Sequence, residues 1–400
     1  MVPRRRATAA LAALSAAACC YVTAEILPVG LLTVMAADLH RSHAQVGLLV
    51  TGYAVVVVIA SFPLVRVTQR VPRRHLLAAA LAVLAVATAA TALAPSYPVL
   101  FAARLATALS QALFWAIAAP AVLGLFPPEV RGRMMARLSV GASLAPVLGV
   151  PTGTWLGQQL GWRAAFAALA AVCLVICAAV TALVPTVAPA DGGAARGTAP
   201  DRRRYGILIL LTALGVTGAL TAYTYVTPFL LEVSGFAAAA LGPLLLVAGL
   251  AGLGGPLLVG RVLDRYPAVG LLVPMGLLTA ALLALFAVGG FPVAAIAMLA
   301  LTSLAYGALP PAIAHRAFLV APGSTDMASA GVSAAFNVGI ASGSLLGAAL
   351  IGWTGVRSVA LAGALLTATA LAVALTDIRL RPLASAAGDT PMIKASLKSS

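Results

Sequence analysis

Charge is what this sequence has least of. Asp and Glu number ten among 400 residues, against 25 Lys and Arg, and the four charged types together make up 9% of the chain. A soluble domain carries about 25% charged residues, so no soluble fold accounts for the balance. Histidine and cysteine, at four each, are too few and too scattered for the clustered His, Asp or Glu of a membrane-embedded enzyme site. Cys19, Cys20, Cys173 and Cys177 lie in apolar stretches with no His or carboxylate beside them, which reads as packing rather than metal binding. His40 and His43 have no further ligand nearby and read as solvated surface. No Gly-x-x-x-x-Gly-Lys-Ser/Thr loop is present, which excludes an ATP-driven pump on this chain. No enzyme activity, cofactor or metal is expected.

What the chain has instead is hydrophobic residues, 62% of the total, in long uncharged runs: 42–65, 75–103, 138–162 and 327–356 contain no Asp, Glu, Lys or Arg. Each can cross a bilayer as a helix, and none alternates as a transmembrane strand would. The runs predict helices near 8–34, 45–66, 75–94, 98–125, 135–157, 163–184, 206–230, 239–260, 268–288, 292–315, 326–350 and 356–376. The fold class is therefore an all-α membrane protein of twelve transmembrane helices. A net charge of +15 invites a nucleic-acid partner, but the cations sit in short gaps between helices. With the N-terminus inside, 21 of the 25 fall in inner gaps, whereas Arg41, Arg163 and Arg357 fall outside and Arg104 within a helix. The positive-inside rule then places both termini in the cytoplasm. Arg4, Arg5 and Arg6 before an apolar run read as the start of a retained first helix rather than a cleaved signal.

The chain repeats itself. Arg66, Val67, Arg70, Pro72, Leu76 and Leu77, after the second helix, recur in register as Arg261, Val262, Arg265, Pro267, Leu271 and Leu272 after the eighth. Two pseudo-symmetric six-helix halves follow: residues 1–184 and 205–378, joined by a cytoplasmic linker at 185–204 and followed by a tail at 379–400. Such an architecture puts a solute path at the interface of the halves, with alternating access by rocking.

These loops resemble the major facilitator superfamily, whose gap between helices 2 and 3 carries a Gly-x-x-x-Asp-Arg-x-Gly-Arg-Arg type motif. Arg70, Arg73 and Arg74 match it. Val65, Gln69 and Pro72 depart from it, so the first loop lacks the acid that the family uses in its gate, while the second copy keeps Gly260, Asp264 and Arg265. Within the superfamily the chain is similar to the drug-proton antiporter group and its sugar-efflux branch, through the stretches 23–32, 44–49, 112–115, 221–225 and 336–340. The resemblance implies a proton-coupled exporter of sugars or sugar-like solutes, acting as a monomer, with a drug such as chloramphenicol as the alternative cargo.

Glu25 is the one acid well inside a predicted helix, where an ionisable group is costly and usually functional. It is the candidate proton carrier, or else a permanently charged partner that fixes packing. Arg104, the one cation inside a helix, lies at compatible depth and is its candidate partner, with direct solute binding as the other role. Gln111 and Trp115 share a helix face with Arg104, and Trp115 reads equally as an interfacial anchor. Tyr53, Tyr223, Tyr225 and Asn337 complete a candidate solute site of polar tips on apolar bodies. Tyr223 and Tyr225 cannot both face it, and Asn337 has an interhelical hydrogen bond as its alternative role. Arg70, Arg73, Arg74, Asp264 and Arg265 are the candidate gating residues. Gly141, Ala145, Gly149, Gly153 and Gly157, and again Gly339, Gly343 and Gly347, form small-residue stripes for close helix approach.

Overall fold

The computed structural model describes residues 3–41, 43–185, 199–237 and 240–380. Among these, twelve helices are long and apolar enough to cross a membrane. They are α1 (Arg4–Gly30), α2 (His43–Thr68), α3 (Arg73–Ala92), α4 (Tyr97–Leu125), α5 (Arg131–Leu160), α6 (Trp162–Leu183), α7 (Arg202–Tyr223), α8 (Leu241–Arg265), α9 (Pro267–Val288), α10 (Pro292–Val320), α11 (Thr325–Thr354) and α12 (Ser358–Leu380). The sequence places all twelve because a backbone in hydrocarbon must satisfy its own hydrogen bonds, and a helix does so within one segment. Most of the expected linker, residues 186–198, and of the expected tail, residues 381–400, lies outside the described residues. α7 starts inside the expected linker because Asp201 caps it, its carboxylate accepting from the Arg203 and Arg204 amides at 2.9 and 3.1 Å.

Three helices depart from the simple expectation. α1 ends at Leu31 (φ −109°, ψ 9°) and a short helix, Leu32–Asp38, resumes at a new angle. α7 breaks the same way at Tyr225 (φ −112°, ψ 22°), then continues through Val226–Pro228 into a π-helical turn, Phe229–Val233. α5 contains a π-helical turn at Ala145–Gly149, where Pro146 and Pro151 each withhold an amide from the ladder.

The glycine stripes have partners, and they are equivalent in the two halves. Along α5, Gly141 lies against the Ser15 main chain, Gly149 against Thr23, Gly153 against Leu27 and Gly157 against Leu31. Along α11, Gly339 lies against Val216, Gly343 against Thr217 and Leu220, and Gly347 against the Tyr225 ring. The fifth helix of each half is thus laid closely on the first.

The halves meet where α2 and α4 pack on α11 and where α5 packs on α8 and α10. Close contacts cluster at the end carrying the basic loops: Gly132 faces Leu263 and Asp264, Gly260 faces Ala136, and Phe318 and Ala330 enter the core of the first half. Large apolar side chains such as Ile59, Val175 and Leu258 are 66–68% exposed, an outer surface suited to acyl chains.

A side chain at Gly141 would collide with the Ser15 backbone, so Gly141→Leu should destabilise by about 1–3 kcal/mol, the usual cost of overpacking. Gly124, with nothing within 4 Å of an added Cβ, supplies the control. Thermal unfolding in detergent should show a lower midpoint for Gly141→Leu and none for Gly124→Ala.

Candidate functional site

Pro28 has no amide hydrogen, so it cannot bond the carbonyl of Ala24 one turn back. That carbonyl is free inside a membrane helix, where an unmade bond is expensive. Arg104, from α4, supplies it: Nη1 donates to the Ala24 oxygen at 2.5 Å and Nη2 to the Glu25 oxygen at 3.2 Å. The guanidinium also lies over the Tyr53 ring, 4.7 Å from its centroid, and Arg104 is 1% exposed. Its Nε is buried and has no hydrogen-bond partner among the described residues.

The Glu25 carboxylate is engaged elsewhere. Gln111 Nε2 donates to Glu25 Oε2 at 2.9 Å, and Tyr53 Oη donates to Gln111 Oε1 at 2.6 Å. Arg104 therefore reaches the main chain at Glu25 rather than its carboxylate. Gln111 and Tyr53 are 1% exposed, whereas Glu25 is half-buried. The result is one cluster from α1, α2 and α4 in which a carboxylate, an amide, a phenol and a guanidinium are tied together. Glu25, Arg104, Gln111 and Tyr53 are all in it.

The remaining candidates lie apart from those contacts. Trp115, half-buried one turn beyond Gln111, meets Phe114 edge-on at 5.3 Å, and Phe114 stacks on Tyr21 at 4.4 Å. Tyr223 is 43% exposed. Tyr225 donates its hydroxyl to the Ser344 carbonyl at 2.8 Å, joining α7 to α11. Asn337 is 6% exposed and donates Nδ2 to the Ser333 carbonyl at 2.9 Å, while its Oδ1 is buried with no partner among the described residues.

At the basic end the gating candidates separate into two kinds. Arg73 forms a two-pronged pair with Asp326 at the start of α11, at 2.7 and 3.3 Å, which crosses between the halves. Asp264 crosses in the opposite sense, accepting the Arg133 amide at 3.2 Å and facing the Arg133 guanidinium at 3.5 Å. It sits at the N-terminus of α5, where free amides and the helix dipole favour an anion. Arg74 instead donates to the Thr181 carbonyl within its own half, Arg70 is exposed, and Arg265 lies over the Tyr266 ring. Sequence reasoning missed Asp326 and Arg133. In a chain with ten acids, each acid at the basic end was itself the available signal for them.

Residues 13–324 match the family model described as the Major Facilitator Superfamily. This chain belongs to the major facilitator superfamily. Two curated relatives illustrate where it falls within the superfamily. It is 38% identical over 351 residues to a chloramphenicol efflux pump of Mycobacterium tuberculosis, covering 85% of each chain. It is 30% identical over 358 residues to a probable sugar efflux transporter of Mannheimia succiniciproducens, covering 89% of this chain and 90% of that one. Among solved structures of the superfamily, FucP in the outward conformation aligns with a TM-score of 0.74 at 16% identity, over 92% of this chain and 98% of the other. The human organic anion transporter MFSD10 aligns with a TM-score of 0.75 at 16% identity, over 94% and 100%. This superfamily member is accordingly a multi-pass membrane transporter of small molecules.

Two measurements probe the geometry. Arg104→Lys cannot span both carbonyls and should cost about 2 kcal/mol, and Tyr53→Phe, which removes one donor from buried Gln111, about 1 kcal/mol; chemical unfolding in detergent reads both. For the crossing pair, Arg73→Asp or Asp326→Arg alone should accelerate labelling of a cysteine placed at Ser329. The double reversal should restore slow labelling, and additive single effects would show that the two side chains do not act together.

Proposed function

We propose that this transporter is a proton-coupled antiporter of the bacterial plasma membrane, exporting a small organic solute as a monomer with both termini cytoplasmic. The two halves, residues 1–184 and 205–378, joined by the linker at 185–204, rock against each other, and the tail at 379–400 lies in the cytoplasm. The reading rests on one observation, the neutral partner of Glu25. A carboxylate locked to a guanidinium would be held in its charged form. A carboxyl bonded to an amide can be satisfied in either form, because the amide carries both donor and acceptor.

The hydrogen-bond chain from Tyr53 through Gln111 to Glu25 can run in either direction. With Glu25 ionised, Tyr53 donates to Gln111 and Gln111 donates to Glu25. With Glu25 protonated, its O–H donates to the Gln111 carbonyl after the amide turns over, and Gln111 Nε2 donates to the Tyr53 oxygen. In both states the Glu25 carboxyl keeps the Gln111 amide as its partner, and in the second the Tyr53 oxygen accepts while its own O–H turns to another acceptor. Arg104, fixed to the α1 main chain, keeps its positive charge beside the carboxyl throughout, so loss of the carboxylate alters the balance of charge at a helix that α5 holds along its length.

If the basic end is cytoplasmic, Arg73 with Asp326 and Asp264 with Arg133 close the path on that side, leaving an outward-facing state in which protons reach Glu25 from outside. Solute would meet Tyr223, Trp115 and Asn337, beside a cluster whose own groups are already bonded to one another or to α1. Relatives named for sugar efflux support a sugar-like cargo. A second reading is favoured by identity: the relatives named as chloramphenicol efflux pumps match at 37–38%, against 30–31% for the sugar efflux transporters.

Inside-out vesicles with an imposed proton gradient, offered arabinose, a thiogalactoside or chloramphenicol, test both readings. Gradient-dependent uptake of one solute is expected, and its identity chooses between them. Glu25→Gln should abolish gradient-driven uptake while equilibrium solute binding survives. Uptake undiminished in that variant would return Glu25 to a structural role.

A further inference from the structure

On the outer surface of the bundle, near the basic end, the small residues that let α1 and α5 touch at Ser15 and Gly141 leave an open groove of about 350 Å³ along their seam. Thr8, Ala12, Ser15 and Cys19 from α1 and Arg137 and Leu144 from α5 line it. Small residues make the hollow, and Met135, on the opposite side of α5 at this level, is buried. Thr8, Ala12 and Arg137 are exposed, so the groove opens away from the neighbouring helices and into the bilayer. It runs from Thr8 to Cys19, roughly 16 Å along α1 at the helical rise.

Arg137 gives the groove its charge. It lies six residues into α5, about 9 Å from the helix start, a depth from which its long side chain reaches the headgroup region. Its backbone carbonyl accepts from Ser15 Oγ at 3.0 Å, but among the described residues its guanidinium has no acid partner. The neighbouring cation one turn earlier, Arg133, is spent on Asp264.

We propose that this groove seats an anionic phospholipid, one acyl chain lying along the seam of α1 and α5 and the phosphate on Arg137. A groove opening into hydrocarbon is offered acyl chains, and an unneutralised Arg favours a lipid of net negative charge over a zwitterionic one. The lipid bears on the two helices joined by the α5 glycine stripe. The proposal does not depend on proton coupling.

Native mass spectrometry of the purified full chain, equilibrated with phosphatidylglycerol or phosphatidylcholine, tests it. Wild type should retain phosphatidylglycerol in preference. Arg137→Ala should weaken that retention roughly fivefold, the weight of one Arg at an anionic lipid surface, while Arg137→Lys keeps most of it. Ala12→Trp, which fills the groove and leaves the cation, should reduce retention of either lipid. Equal retention of both lipids by wild type, or undiminished retention by Arg137→Ala, overturns the proposal. So does a dimer in wild type that Ala12→Trp dissociates, since a second copy would then occupy the groove.

Discussion

A missing amide hydrogen organises the first half of this transporter. Pro28 leaves the Ala24 carbonyl unbonded at membrane depth, and the bilayer offers no water to satisfy it. Arg104 does so and in doing so fastens α4 to α1. An arginine serves where a lysine would not, because its planar fork meets two successive carbonyls at once. The main chain of α1 takes the cation, so the Glu25 side chain is free to take an amide instead. The same proline lies three residues before the break at Leu31, so one residue both bends the helix and creates the acceptor that anchors it.

The second half repeats the scaffold without repeating the charge. α7 breaks at Tyr225 as α1 breaks at Leu31, and α11 lies on α7 through glycines as α5 lies on α1. Where the first half places a carboxyl and a guanidinium, the second places hydroxyls and an amide: Tyr223, Tyr225 and Asn337. At the basic end the repeat is used in opposite polarity. A cation from the first half finds an acid on α11, and an acid from the second half finds the start of α5. Gln69, where the family carries an acid, is accompanied by a direct ion pair four residues on, from Arg73 at the start of α3 to Asp326.

The twelve spans were legible because their cause is local: uncharged runs long enough to cross a bilayer. The breaks at Leu31 and Tyr225 and the π turn at Ala145–Gly149 were not. Pro28, Pro146 and Pro151 mark where the ladder is interrupted, but where the backbone turns and what shape it takes depend on how neighbouring helices accept it. Glu25 stood out because a membrane segment has few reasons to carry an acid. Its partner was harder to read. A cation at matching depth is the simplest guess from charge alone, whereas the bond to Gln111 depends on the rotation of α4 about its axis. The Arg104 contact was open to reading from Pro28, since a proline in a helix interior always leaves a carbonyl to be accounted for. Asp326 and Arg133 could not be paired from sequence, because their partners lie in the other half of the chain.

The arrangement also bears on what a solute can find. Gln111, Tyr53 and the Arg104 fork are already bonded to one another or to the α1 backbone, so a solute that engaged them directly would have to replace existing bonds and would gain little. The Asn337 oxygen is different, being buried and unmade, and Tyr223 keeps much of its surface open. In the proposed reading, recognition would fall to aromatic faces and a few unspent polar atoms, with the Glu25 cluster left to respond to charge. That division suits an antiporter, because a proton and a solute that used separate groups can be coupled through the shared helix α1 without competing for the same atoms.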